Sequence, residues 1–211
     1  MIIAHCSDLH GNLESLLRGS RNPDVWVLSG DICPNKTRGQ VEEEAPFQRA
    51  WFESNAELLS KRFAGKPVVV VGGNHDYIEL AELLRPYGVD AVTLTPEGAE
   101  VAGVRFAGFP EVPFMLGEWR GECHDFTEIL ERTFASDPEI LVTHAPPAGI
   151  LDYTHAGGKG ISALTSSLMY RQHRIRVHLF GHVHEHGGQD LEKFDIHFYN
   201  GATFVRFFDV F

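Results

Sequence analysis

The fold is decided by one stretch of the chain, Val68-Val69-Val70-Val71-Gly72-Gly73-Asn74-His75-Asp76. Four consecutive β-branched residues predict a strand that is buried on both faces, as in a parallel sheet. The polar cluster that follows falls where this strand leaves the sheet, and ligands bind at that edge in open α/β sheets. A polar turn would use the same residue types, because Gly, Asn and Asp are favoured in turns. The other strand ends of the chain distinguish these two interpretations.

Four further predicted strands end in side chains that can bind a metal ion. These strands are residues 1–6, followed by Asp8 and His10; residues 24–29, followed by Asp31; residues 139–143, followed by His144; and residues 176–180, followed by His182 and His184. One such end could be accidental, but five in one chain are not plausibly chance. A scatter of locally hydrogen-bonded histidines would not explain why these histidines follow strands rich in Val, Ile and Leu.

The candidate ligands are oxygen and nitrogen atoms, without sulfur. Such a set suits Mn²⁺, Fe or Zn²⁺ and does not suit a structural thiolate site. Seven residues, including Asn74, are too many for one ion. They are the right number for two ions that share a carboxylate, as in two-metal hydrolases.

Composition restricts the class of protein and of partner. With 211 residues, 43% of them hydrophobic, the chain is expected to form a single domain over residues 1–211. The formal net charge is −11 and no Lys/Arg-rich run is present, which argues against nucleic acid as a partner. Bound cations would let such a negative protein attract a small phosphate ester.

No segment has the roughly 20 apolar residues that a membrane span needs, so no membrane partner is expected. The first residues lack the basic start and long apolar body of a signal peptide. The three cysteines, Cys6, Cys33 and Cys123, have no metal-site or disulfide-framework spacing. These observations predict a cytoplasmic location.

Apolar patterns predict the remaining elements. Helices are expected at residues 13–18, 41–63, 77–84, 126–134 and 161–174, and strands at residues 89–94 and 101–109, the latter broken at Gly103. The long helix should bury Phe47, Ala50, Trp51, Leu58 and Leu59. Residues 196–199 and 203–211 should form a hairpin through Asn200-Gly201. Residues 110–125 and 149–160 are expected as loops above the cleft, where specificity would lie.

The polar strand ends form a known pattern. They are Asp8-Leu9-His10, Gly30-Asp31, Gly73-Asn74-His75-Asp76, Thr143-His144-Ala145 and Gly181-His182-Val183-His184. In this order the blocks resemble the calcineurin-like metallophosphoesterase superfamily. The segments His144-Ala145-Pro146-Pro147-Ala148-Gly149-Ile150-Leu151-Asp152 and Gly181-His182-Val183-His184-Glu185 further resemble small class III-like phosphodiesterases, which include the MPPED proteins.

The resemblance implies an α/β fold, a four-layer αββα sandwich with metals at the strand ends. It also implies two divalent or mixed-valence ions, Mn²⁺, Fe or Zn²⁺. By motif position, the first ion would be held by Asp8, His10 and His184 and the second by Asn74, His144 and His182, with Asp31 as the bridge.

The implied activity is metal-dependent hydrolysis of a phosphodiester or another small phosphoester by a metal-bridging hydroxide. His75 would protonate the leaving group, and Asp76 is the expected residue to orient His75. Asn74, His75 and His155 are the expected substrate contacts. Ile32-Cys33-Pro34-Asn35 follows Asp31 in place of the Val-Asp-Arg-Gly of protein phosphatases, which disfavours a protein substrate. A nucleotide pyrophosphatase, a phosphomonoesterase, a nuclease and a non-catalytic metal-bound scaffold remain alternatives, and the oligomeric state is left open.

Overall fold

The protein is described by a computed structural model that covers residues 1–18, 21–37, 40–116 and 119–210. The strands, in chain order, are β1 (Ile2–Cys6), β2 (Val25–Ser29), β3 (Val68–Val71), β4 (Ala91–Thr93), β5 (Ala99–Val101), β6 (Val104–Phe109), β7 (Val112–Pro113), β8 (Glu122–Cys123), β9 (Ile140–Thr143), β10 (Tyr153–Thr154), β11 (Gly157–Gly158), β12 (Val177–Phe180), β13 (Asp190–Lys193), β14 (Ile196–Asn200) and β15 (Arg206–Asp209). The α-helices are α1 (Glu14–Arg18), α2 (Val41–Phe63), α3 (Leu80–Leu84), α4 (Thr127–Ala135) and α5 (Ser162–Tyr170). Short 3₁₀ turns occur at Arg85–Tyr87 and His184–His186.

The larger strands form two sheets. Their orders are β15-β1-β2-β3-β4 and β13-β14-β12-β9-β6-β5. Strands β1 to β4 are parallel to one another, as are β6, β9, β12 and β14. The edge strands β15, β13 and β5 run antiparallel to their neighbours. Within each sheet the parallel strands therefore end on a common edge.

The central valine strand is buried on both faces, as predicted. Val68 and Val70 pack in a cluster with residues of the helices α1, α2 and α3. Val69 and Val71 pack in a second cluster, between the two sheets. This alternation follows from the two-residue period of a strand. A third cluster joins α4 and α5 to the far face of the second sheet. The layers are thus helix, sheet, sheet and helix, which confirms the expected αββα arrangement.

The helix predicted over residues 41–63 has those bounds. Leu59 is buried and Trp51 partly buried, as predicted, but Phe47, Ala50 and Leu58 are exposed. Phe47 and Leu58 are 36% and 41% exposed. The first two buried positions are instead occupied by Glu44 and Gln48, each 0% exposed, and Phe52 continues the stripe one turn later. Two polar side chains can be buried there because both form hydrogen bonds to neighbouring loops, as described below.

The predicted hairpin through Asn200-Gly201 is also wrong. Strand β14 lies in the second sheet, whereas β15 pairs with β1 in the first, so the chain crosses between sheets at this point. The hairpin of this region joins β13 to β14 through Phe194 and Asp195, whose φ angles are 56° and 58°. Positive φ at both central residues is the geometry of a type I′ turn, and Phe at the first of them gives no sequence signal for it.

The other predicted helices and strands differ only at their ends, whereas the loops predicted over residues 110–125 and 149–160 contain the short strand pairs β7–β8 and β10–β11. The break at Gly103 separates β5 from β6, which pair as a hairpin. Two helices are shorter than predicted: α5 ends at Tyr170 and α3 begins at Leu80. Among the described residues, no helix has both the length and the apolarity required to cross a membrane. Phe211, at the end of the last predicted strand, lies outside the described residues.

Candidate metal centre

The predicted ligands come together at the common edge of the two sheets. They follow β1, β2 and β3 in the first sheet and β9 and β12 in the second. Three overlapping groups place possible ligand atoms within 4.8 Å of one another: Asp8, His10 and His184; His10, Asp31 and His75; and Asp8, Asp31 and His144. The first group is the ligand set expected for the first ion, and Asp31 belongs to the two others.

Several of these residues have an unusual backbone. The φ angles of Asp8, His10, Asp31 and His182 are 54°, 44°, 55° and 67°, in the left-handed region that non-glycine residues seldom adopt. Asp8 and His10 therefore converge through a turn that follows β1 and not through a continuation of that strand. Hydrogen bonds hold this turn, because Asp8 N–H donates to the Gly30 carbonyl at 2.9 Å and His10 N–H to that of Asp31 at 3.0 Å. Strain of this kind collects at functional sites.

His144 is the best test of whether the cluster fits a metal ion. Its Nδ1 lies 2.8 Å from the Ser29 carbonyl oxygen and must donate to it. Its Nε2 then faces two acceptors, Asn74 Oδ1 at 3.0 Å and Asp31 Oδ2 at 3.3 Å. Only an added proton or a cation can satisfy three converging lone pairs. Burial opposes protonation, but the charge of Asp31 outweighs it and raises the pKa of His144 to about 10. A divalent cation meets the same requirement.

The contacts around Asp8 also combine carboxylate and imidazole groups. Asp8 Oδ1 lies 3.1 Å from His184 Nε2, and Asp8 Oδ2 accepts a 2.8 Å hydrogen bond from the backbone N–H of His182. Burial disfavours the Asp8 carboxylate, but the hydrogen bond from His184 and the charge of His144 lower its pKa. The His182 and His144 rings lie 5.0 Å apart. His184 is exposed, whereas Asp8, Asp31, Asn74 and His144 are buried. This set of carboxylate, amide and imidazole donors fits Mn²⁺, Fe or Zn²⁺.

Two motif glycines allow the ligand loops to approach one another. A Cβ atom on Gly73 would lie 2.1 Å from Asp31 Oδ1, and one on Gly181 would lie 2.1 Å from Asp8 Oδ2. Neither distance is compatible with a side chain. The glycines are therefore required by close packing against the two buried carboxylates.

His75 reaches the cluster, but Asp76 does not orient it, and this expectation is corrected. The Asp76 carboxylate accepts hydrogen bonds from the backbone N–H groups of Asp31 at 2.7 Å, Gly73 at 3.0 Å and Cys33 at 3.3 Å. Asp76 thereby joins the loops that follow β2 and β3. His75 Nδ1 lies instead 3.0 Å from Asn35 Oδ1. No sequence pattern marks Asn35 for this role, because it lies in an irregular loop.

Burial and the nearby charge of Asp31 raise the pKa of Asp76 to about 6. The pKa of Asp31 itself is lowered, because His144 outweighs the effect of burial. The two neighbouring carboxylates thus differ in environment: Asp31 faces imidazoles, whereas Asp76 faces backbone amides.

A cavity of about 380 Å³ adjoins the cluster at His182. The loop predicted over residues 110–125 lines one side of it, and the loop over residues 149–160 lines the other. The lining residues are Pro113, Phe114, Met115, Leu116, Trp119, Gly158, Lys159, Gly160 and His182. Gly117 and Glu118 lie outside the described residues.

Trp119 closes the side of this cavity next to His75, with the two ring centroids 4.1 Å apart. From the second loop, Lys159 lines the cavity. His155, which was expected to contact the substrate, is exposed and is not among the lining residues. Sequence analysis marked both loops but did not single out Trp119 or Lys159, because a loop's composition does not tell which of its side chains point inward.

Comparison with known proteins gives a consistent result. The family model described as calcineurin-like phosphoesterase matches residues 1–186. Human Metallophosphoesterase domain-containing protein 1 is 27% identical over 136 residues, which cover 63% of this chain and 40% of that protein. UPF0046 protein K07C11.7 of Caenorhabditis elegans is 27% identical over 201 residues, or 86% of this chain and 63% of that one.

The protein named Probable rhamnogalacturonate lyase C, of Emericella nidulans, is 24% identical over 204 residues, which cover 90% of this chain but 18% of the longer protein. The chain thus spans less than two thirds of the length of each of these relatives.

Proposed function

Because the chain belongs to the calcineurin-like phosphoesterase family, we propose that it hydrolyses small phosphoesters, above all phosphodiesters, with two divalent metal ions. The observation that carries this proposal is the position of His144 Nε2, which faces Asn74 Oδ1 and Asp31 Oδ2 in a buried site that requires positive charge. The match of the family model to residues 1–186 supports the same chemistry.

The proposed ligands divide between the two ions as their positions suggest. Asp8, His10 and His184 would hold one ion, Asn74, His144 and His182 would hold the other, and Asp31 would contact both. When bound, such a pair lowers the pKa of a water molecule and neutralises the phosphoryl oxygens. Asn74 contributes no charge, which limits the negative potential that an anionic substrate meets.

His75 is the proposed proton donor to the leaving group. Its ring lies in a group with His10 and Asp31, which places it at the rim of the cluster. Trp119 borders it on the cavity side. A leaving group bound at the rim of the cluster, beside His10 and Asp31, would meet the His75 ring, as general acid catalysis requires.

The cavity can hold an organic group of the substrate beside the phosphoryl group, which suits the proposed phosphodiester. Its volume of about 380 Å³ exceeds what the phosphoryl group needs and falls in the range of small-molecule sites. Lys159 in the lining favours a second negative group on the substrate, so a nucleotide pyrophosphatase is the second candidate. Nucleic acid is not proposed as a substrate, because the net charge is −11.

A direct test is hydrolysis of bis-p-nitrophenyl phosphate by the Mn²⁺-loaded protein. We expect turnover that a chelator abolishes and that falls by at least about 100-fold in Asp31→Ala and His75→Ala. His197→Ala, far from the cluster along β14, serves as the matched control and should retain wild-type turnover. Equal turnover in all variants would refute the proposal. Two bound ions without turnover on diester, monoester or pyrophosphate substrates would instead support a non-catalytic scaffold.

A further inference from the structure

We infer that Asn35 is the positioning residue of this site: it fixes the ring orientation and the tautomer of His75, and helix α2 holds it in place. The inference rests on the proposed function in so far as His75 acts on a substrate. The part of the inference that concerns the tautomer and orientation of the His75 ring depends only on contacts among the described residues.

The hydrogen bonds of Asn35 determine which way its amide points. Its Nδ2 lies 3.1 Å from the His75 carbonyl oxygen and 3.3 Å from Glu44 Oε2, and both of these atoms can only accept. The Oδ1 atom is therefore the one that faces His75 Nδ1, at 3.0 Å. Since Oδ1 accepts, Nδ1 must carry a proton. His75 Nε2 is left free for the substrate, and it can donate a proton to a leaving group when both ring nitrogens are protonated.

Glu44 fixes the loop that carries Asn35. This carboxylate is 0% exposed and accepts hydrogen bonds from Lys36 N–H at 3.0 Å and from the Thr37 hydroxyl at 2.7 Å. It also binds Thr37 N–H. Burial opposes ionisation of Glu44, but these donors outweigh it and lower its pKa. A buried charge with this many donors makes a rigid anchor for residues 35–37.

Gln48, one turn further along α2, fixes the loop that carries His75. Its Nε2 donates to the His75 carbonyl at 2.7 Å and to the Pro34 carbonyl at 3.2 Å, while its Oε1 accepts from Tyr77 N–H at 2.7 Å. Helix α2 thus binds both loops through two buried polar side chains. This arrangement sets the distance between Asn35 and His75.

The contact to the ring is separate from this loop scaffold. The loops are already joined by Glu44 and Gln48, yet Asn35 directs its carbonyl oxygen at a side chain. The other neighbours of the ring are Trp119 and His10, at 4.1 Å and 5.1 Å between centroids, and the Asp31 carboxylate, which lies within 4.8 Å of a ring nitrogen. Asn35 differs from them because its Oδ1 is at hydrogen-bond distance from Nδ1, and we infer that this bond decides which nitrogen carries the proton in the resting protein.

Nitrogen-15 NMR of the ring tests the structural part without any turnover. In metal-free wild-type protein, His75 should show the chemical shifts of the Nδ1–H tautomer. Asn35→Ala should shift the population toward a mixture with the Nε2–H form, whereas Asn35→Asp, which retains an acceptor, should keep the Nδ1–H form. An unchanged tautomer in Asn35→Ala would overturn the inference.

Leaving-group dependence tests the functional part. The substrates for this test are a series of methyl aryl phosphates that differ in their leaving phenol. The phenols range from p-nitrophenol, which departs without a proton, to p-methoxyphenol, which needs one. We expect Asn35→Ala to lower kcat about 10-fold to 100-fold for the p-methoxy ester and less than about threefold for the p-nitro ester, with KM unchanged. Asn35→Asp should recover part of the loss. Asn55→Ala, which removes an asparagine of α2 whose amide donates to the Trp51 carbonyl, is the control and should match wild type.

The two proposals fail in different ways. If Asn35→Ala lowers kcat equally for both esters, its role is merely structural and the inference is overturned, while the proposed hydrolysis stands. If wild-type protein turns over no ester but its His75 tautomer depends on Asn35, the proposed function fails and the positioning role of Asn35 is retained.

Discussion

The Nε2 atom of His144 lies 3.0 Å from the Oδ1 atom of Asn74, and the His144 ring has already used its other nitrogen on the Ser29 carbonyl. Both residues are buried, at 0% and 1% exposure. Lone pairs that face each other in such a place are costly unless positive charge lies between them. The pair therefore connects the fold to the proposed metal chemistry.

Metal binding should stabilise the protein through this pair. A ligand that binds only the folded state at about 100 times its Kd adds roughly 2.7 kcal/mol to the free energy of unfolding. Mn²⁺ should raise the melting temperature of wild type, and His144→Ala should lose most of this increase. Thermal melts with and without chelator measure it. An equal metal-dependent increase in both proteins would contradict the assignment of His144.

The close approach of Gly73 to Asp31 can be tested by comparing the metal affinities of two neighbouring glycine variants. In Gly73→Ala the new methyl would lie 2.1 Å from Asp31 Oδ1, so the loop must move and the carboxylate with it. Metal affinity should fall by at least about tenfold, since supporting contacts contribute that much at metal sites. Gly72→Ala is the matched control, because its methyl would meet Pro110 Cβ only at 3.9 Å. Titration calorimetry that shows equal affinity in both variants would contradict this packing argument.

Asp76 should be structural. Its carboxylate accepts three backbone hydrogen bonds, and Asp76→Asn would turn an amide NH₂ toward at least one N–H donor. Unsatisfied buried donors cost about 1–3 kcal/mol each, so a loss of roughly 2–3 kcal/mol in unfolding free energy is expected. Asp24→Asn should cost far less, because the hydrogen bond that the exposed Asp24 carboxylate accepts from Ile2 N–H can be kept by the amide oxygen. Denaturant titrations compare them, and equal stability of the two variants would count against this role.

The candidate ligands and Asp76 show which features of the site can be predicted from the sequence. The seven candidate ligands were predicted to converge because parallel strands end on a common edge, and that rule needs only the strand pattern. The role of Asp76 was predicted from its place beside His75. Adjacency in a turn does not fix where a side chain points, and Asp76 turns toward the backbone of the neighbouring loop.

The prediction of which α2 residues are buried was wrong in part for a related reason. The helix period is visible in the sequence, but burial of Glu44 and Gln48 depends on N–H and C=O groups of loops at residues 34–37 and 75–77. Only the tertiary arrangement supplies those partners. The role of Asn35 was missed on the same ground, because it depends on a contact across 40 residues of chain.

Acid should destabilise the fold through buried histidines. Burial, with a smaller contribution from the charge of His5, lowers the pKa of His178 to about 3 from its ordinary 6.5. Below pH 6.5 the unfolded chain takes up a proton that the folded protein excludes, so stability falls as the pH drops from about 6.5 toward 3.

For His178 alone the loss should reach roughly 2 kcal/mol at pH 5. His178→Gln should remove that part of the difference in unfolding free energy between pH 7 and pH 5, while the exposed His124→Gln should not. Denaturant melts at the two pH values measure it. A pH dependence that is identical in His178→Gln and wild type would exclude His178 as its source.

The central claim is that two cations share one buried carboxylate, and counting bound ions tests it most directly. Equilibrium dialysis against Mn²⁺ followed by elemental analysis should find two ions per wild-type chain, and Asp31→Ala should lose at least one of them. A wild-type protein that binds fewer than two ions at saturation, or an Asp31→Ala variant that retains two with unchanged affinity, would contradict the account.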